Sequence, residues 1–173
     1  MVDALFGLIG EGVLRPTAQQ IAERAGVGIR SVFRHFEDMD TLFSKVDDRL
    51  RAEAAPLLAV DPPRGGVPLR ARALVTQRAA IFERIERYKC AGNLQRARSR
   101  YLERAHRTLV RELRDDLYRW LPELERAPAD VAEALELVTS FEAWDRLRSD
   151  QRLGAAHARA AMERAVLALA RAL

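Results

Sequence analysis

Apolar side chains recur along this chain at intervals of three and four residues and never alternate as a strand requires, so the periodicity predicts an all-α fold. A first helix is expected from about Val2 to Ile9, ended by Gly10 and Gly12. Thr17 suits the N-cap of a second, in which Ile21, Ala22 and Ala25 share one face. Gly26 ends that helix, because glycine enters the left-handed conformation without steric cost. A third helix restarts at about Gly28 and is expected to turn Val32, Phe33 and Phe36 toward the core. Asp38 then caps a fourth, which runs to about Leu58.

The stretch from Val60 to Pro68 holds three prolines and two glycines and is the best candidate linker. Beyond it a long helix is expected from Leu69 to about Cys90, with Leu74, Ile81, Phe82 and Ile85 on its buried side, interrupted at Gly92-Asn93. Another helical stretch runs from Gln95 to Leu121 and stops at Pro122. Two more are expected over Ala129–Arg152 and Ala155–Leu173, separated at Gly154. Their apolar stripes (Val131, Leu135, Val138, Phe141 and Trp144; Met162, Val166, Leu169 and Leu173) suit an antiparallel pair. That pair either closes the core of one subunit or meets its copy in a second as a four-helix bundle.

Chemistry enters with the second and third helices. Two short amphipathic helices joined by a tight glycine turn are the pattern of a helix-turn-helix, whose second helix lies in a DNA major groove. Bulk charge does not single out this segment. The net charge is +4, yet residues 1 to 50 hold six basic side chains against eight acidic ones. The surplus lies in Arg84 to Arg114, with ten basic residues against three acidic. Three readings of that run stand open: a solvated helix surface with Glu86, Glu103 and Glu112 as partners, a second nucleic-acid surface, or a site for an anionic ligand. The last two need the arginines to converge.

Other classes find little support. No apolar run approaches the roughly 18 residues of a membrane span, and the opening residues lack a basic leader and cleavage site. Cys90 is the only cysteine, which excludes an internal disulfide and fits a reducing cytoplasm. The three histidines give no metal-ligand spacing, and no metal or cofactor is expected. Ser31, Ser44, Ser99, Ser140 and Ser149 stand in no nucleophile elbow, no phosphate loop occurs, and His106 and His157 read as surface residues. No enzyme is expected.

The residues Ile21-Ala22-x-x-Ala25-Gly26-Val27, followed by Ser31-Val32-Phe33-x-His35-Phe36, resemble the TetR family of bacterial transcription regulators, across Ala4 to Leu50. The resemblance implies a homodimer with an N-terminal three-helix head (residues 1–50) that binds a double-stranded DNA operator. A helical core (residues 51–173) would bind a small-molecule effector and end in the dimerising antiparallel pair. It implies Gly28 to Phe36 as the recognition helix, with Ile29, Arg30 and Arg34 at base edges. Thr17, Ser31, Phe33 and His35 take positions at the sugar-phosphate backbone, and Gly28 completes the DNA-binding set at the start of that helix. Phe82, Tyr88, Tyr101, Trp120, Phe141 and Trp144 are the candidates for an effector cavity. The implied function is a cytoplasmic repressor released by its effector.

The chain departs from the family pattern at four places. Met39 stands where lysine is common, Gly28 where serine or threonine often caps, and Phe33 where tyrosine is frequent. Met1 to Leu5 already read as the middle of a first helix, as a downstream start or a truncation would produce. With the acid at Glu37, Asp38 and Asp40, this motivates one alternative: a helical interaction or ligand-binding module that has lost DNA binding.

Overall fold

The computed structural model describes residues 1–36 and 39–173, with the backbone alone for His35, Phe36 and Met39. The expected cap Asp38 and its neighbour Glu37 lie outside the described residues, as do the side chains of His35, Phe36 and Met39. Among the described residues all regular structure is helical: α1 (Val2–Gly10), α2 (Ala18–Ala25), α3 (Ile29–Phe36), α4 (Met39–Leu58), α5 (Val67–Asn93), α6 (Arg100–Trp120), α7 (Ala129–Val138), α8 (Phe141–Asp145) and α9 (Ala155–Leu169). The chain forms two compact units, Met1–Ala55 with Ile85–Arg107, and Pro56–Arg84 with Thr108–Leu173.

In the first unit, α1 is the centre of the core. Leu5, Leu8 and Ile9 pack with Ile21 and Ala22 of α2, Val32 of α3, and Leu42 and Val46 of α4. Each large apolar side chain removed from water in this way contributes about 1.5–3 kcal/mol. Phe6 stacks on Tyr88 of α5 with ring centroids 4.4 Å apart, and the Arg49 guanidinium covers Phe6 at 4.0 Å.

The second unit packs Leu74 and Phe82 of α5 with Leu117 and Trp120 of α6, Leu135 of α7, Trp144 of α8, and Met162 and Val166 of α9, all buried. Phe82 meets Phe141 edge-on, with centroids at 5.7 Å. Arg78 is wholly buried between these side chains. Its Nη2 lies 3.0 Å from Asp116 Oδ2 and donates to the Leu113 carbonyl at 2.6 Å. Burial lowers its pKa to about 10, against the pull of Asp116, so it stays cationic at neutral pH.

One burial and three boundaries differ from the periodicity. Phe33, expected in the core, is 57% exposed. A two-turn helix buries one narrow stripe, and Phe33 is rotated about 100° from Val32, which fills it. α5 begins at Val67 and continues through Gly92 to Asn93, because a glycine in a last turn loses little. The expected stretch Gln95–Leu121 is split: a 3₁₀ turn at Arg96–Arg98 precedes Ser99, whose Oγ accepts the Leu102 N–H at 3.0 Å and caps α6. The expected helix Ala129–Arg152 breaks at Thr139-Ser140. There Thr139 Oγ1 donates back to the Leu135 carbonyl (2.7 Å), and Ser140 Oγ accepts the Ala143 N–H (3.1 Å) to start α8.

Candidate nucleic-acid interface

Short-range chemistry builds the α2–α3 pair. Thr17 Oγ1 accepts the Gln20 N–H at 3.2 Å, and Gln20 Oε1 accepts the Thr17 N–H at 2.9 Å, a reciprocal capping box. At the other end Gly26 takes φ +65°, the left-handed cap that turns the chain toward α3. Arg24 on α2 grips Glu11 through both carboxylate oxygens, one bond measuring 2.9 Å. That hydrogen bond holds the Glu11 carboxyl below the usual carboxylate range.

The anchoring of Val32 turns the neighbouring face of α3 outward. Ile29, Arg30, Phe33 and Arg34 are exposed, and Gly28 is exposed just before the helix. Arg30 and Arg34 stand one turn apart on the same side and make no ion pair among the described residues. Arginine can donate bidentately to guanine O6 and N7, and apolar Ile29 can meet a thymine methyl. Ser31 is half-buried beside Val32. Thr17 is exposed with its hydroxyl committed to the cap. His35 lies on the last turn of α3, its side chain outside the described residues.

The six aromatic candidates divide between the units. Phe82, Phe141 and Trp144 form one buried cluster in the second unit, where Trp120 is also buried. Tyr88 and Tyr101 belong to the first unit. Tyr101 donates its hydroxyl to Asp47 Oδ2 at 2.9 Å, and burial together with that carboxylate pushes its phenol up to about 12. Sequence reasoning missed Arg78, whose buried guanidinium looks like any other arginine in a list of charges. Its position one turn before Phe82, on the apolar stripe of α5, is the signal that finds it. No group of metal-ligating residues occurs among the described residues. His157 is exposed, while His106 is half-buried with its Nδ1 2.7 Å from Lys89 Nζ, so it is not the free surface histidine expected.

A capped helix, a left-handed glycine turn and a second helix presenting paired arginines define the class of helix-turn-helix proteins. Residues 3–46 match the family model of bacterial regulatory proteins of the tetR family. The chain thus carries the DNA-binding segment of a transcriptional regulator. Over its length the fold is similar to the crystal structure of a transcriptional regulator from Rhodococcus sp. Rha1, with a TM-score of 0.71 and 23% identity. That likeness covers 98% of this chain and 94% of the other. No curated protein matches the chain in sequence. No helix among the described residues is long and apolar enough to cross a membrane.

Proposed function

We propose that the protein is a dimeric repressor that reads its operator through α3 and leaves it when a small molecule occupies residues 51–173. The observation that carries this reading is the exposed face of α3, where Arg30 and Arg34 pair with none of the described residues on a helix pinned by Val32. In this reading residues 1–50 are the DNA-binding part, and Ile29, Arg30 and Arg34 face base edges. Thr17, Ser31, Phe33 and His35 border the phosphates, and Gly28 opens the recognition helix beside them. The segments Ala129–Arg152 and Ala155–Leu173 form the dimer interface and set the half-sites about 34–36 Å apart. Ligand binding releases DNA by changing the separation of two heads that fit one spacing.

The effector reading is supported by buried donors in the second unit that have no hydrogen-bond partner among the described residues: Arg70 Nε, Arg78 Nε and Nη1, Trp120 Nε1 and Trp144 Nε1. Such groups cost free energy unless an acceptor reaches them. The aromatic cluster of Phe82, Phe141 and Trp144 supplies apolar surface in the same unit.

The test is a titration of duplex fragments from the DNA flanking the gene, with wild-type protein and R34A. Wild type should select one fragment. R34A should lose about 1–3 kcal/mol there and relax specificity at one base position. Unchanged discrimination in R34A removes Arg34 from the readout. Wild-type protein that prefers no fragment over random DNA favours the interaction-module alternative.

A further inference from the structure

The basic run that sequence left unassigned converges in space. Arg96, Arg98, Arg100, Arg104 and Arg107 line one groove of about 770 Å³ across the 3₁₀ turn and the first two turns of α6. Glu103 is the one carboxylate in that lining, 2.9 Å from Arg107 Nε and 3.5 Å from Arg96 Nε. Arg98, Arg100 and Arg104 are exposed and make no hydrogen bond or ion pair among the described residues. Five guanidiniums around one carboxylate leave a strongly cationic surface.

The groove is tied to the DNA-binding head. Buried Ser99 donates to Asp40 Oδ1 at 2.5 Å, and the Tyr101 N–H donates to Asp40 Oδ2 at 3.2 Å. Asp40 stands in the first turn of α4, four residues beyond the end of α3, at most about 14 Å of extended chain. Both elements belong to the same compact unit. Within it residues 1–55 carry seven basic side chains against nine acidic, whereas residues 85–107 carry seven against two. The positive balance of the unit therefore comes from the segment that holds the groove.

We propose that this groove is a second phosphate-contact surface, which holds the backbone of the DNA duplex that α3 reads. The proposal rests on the DNA-binding reading above. Arg100, Arg104 and Arg107 span about 10 Å of helix at 1.5 Å per residue. That is the rise of about three nucleotides of one duplex strand at 3.4 Å each. A regular row of phosphates at that spacing can meet all three guanidiniums along the helix, one phosphate to each. Contacts of this kind supply affinity and register without reading sequence.

The experiment compares wild type, R34A and R98Q/R100Q/R104Q on the selected fragment and on a random-sequence duplex of about 30 base pairs, three helical turns. Affinities are taken by fluorescence anisotropy over a salt series. The triple variant should weaken on both duplexes by the same factor, and its plot of log K against log salt should become shallower by about 0.9 for each phosphate no longer neutralised. Its ratio of specific to random affinity stays that of wild type, while R34A lowers the ratio. R98K/R100K/R104K, which keeps the charge, should retain most of the wild-type slope. If the triple glutamine variant fails to fold, R104Q alone should flatten the slope by about 0.9, the share of one phosphate. A wild-type slope in the glutamine variants overturns the proposal and leaves the DNA reading standing. Wild-type protein without salt-dependent binding to either duplex overturns both.

Discussion

Tyr101 holds its phenol against Asp47 from a half-buried position, and the neutral form is the one this contact favours. Its folded pKa, about 12, lies above the ordinary value of 10. The stabilisation is therefore complete below pH 10 and is lost as the pH rises through about 12. A spectrophotometric titration should show one of the three tyrosines ionising last. That late step should vanish in Y101F, and its absence from the wild type would show that the contact is not kept in solution. At this scale the sequence was readable where a residue's role depends on its own helix. Arg30 and Arg34 are legible because four residues make one turn. Phe33 was misplaced because a residue next to a buried one reads as buried until the width of the stripe is known. Arg78 was invisible as a buried ion because its partner Asp116 lies on another helix.

Among the elements, α2 shows how far local chemistry reaches. Its N-cap Thr17 and its left-handed stop Gly26 lie within ten residues of one another, and both were expected from residue types alone, whereas the reciprocal bond to Gln20 came only with the structure. A Cβ at Gly26 meets nothing within 4 Å, so G26A should be destabilised through backbone strain, by about 1–2 kcal/mol. G26N should recover part of the loss, since asparagine tolerates that conformation better. Denaturant unfolding followed by circular dichroism measures both, and equal losses would place the cause elsewhere than φ. The breaks at Ser99 and at Thr139-Ser140 were not legible. Each interrupts a continuous apolar period with a small polar residue, and such residues sit equally well on a helix surface. What decides is the partner: Asp40 for Ser99, the α7 carbonyls for Thr139 and Ser140.

For the whole molecule, the dimer is the expectation most open to test. Leu137 on α7 is 66% exposed, a large apolar side chain within the pair of segments assigned to the interface. Sedimentation should give a dimer for the wild type, and L137E should shift it toward monomer and weaken operator binding with it. A monomeric wild type would return the terminal helices to the simpler role of closing one subunit's core. The sequence by itself determined that the chain is helical, where its helix-turn-helix begins and turns, and which α3 side chains stand beside each other. Those features depend on periodicity, caps and turn residues acting over four or five positions. Only the tertiary structure decided that residues 85–107 join the head unit, that five arginines of the basic run share one groove, and that Arg78 is buried. The physical reason is that charge and burial depend on distances in space. Residues 40 and 99 are fifty-nine positions apart in sequence, and a single hydrogen bond brings their side chains to 2.5 Å.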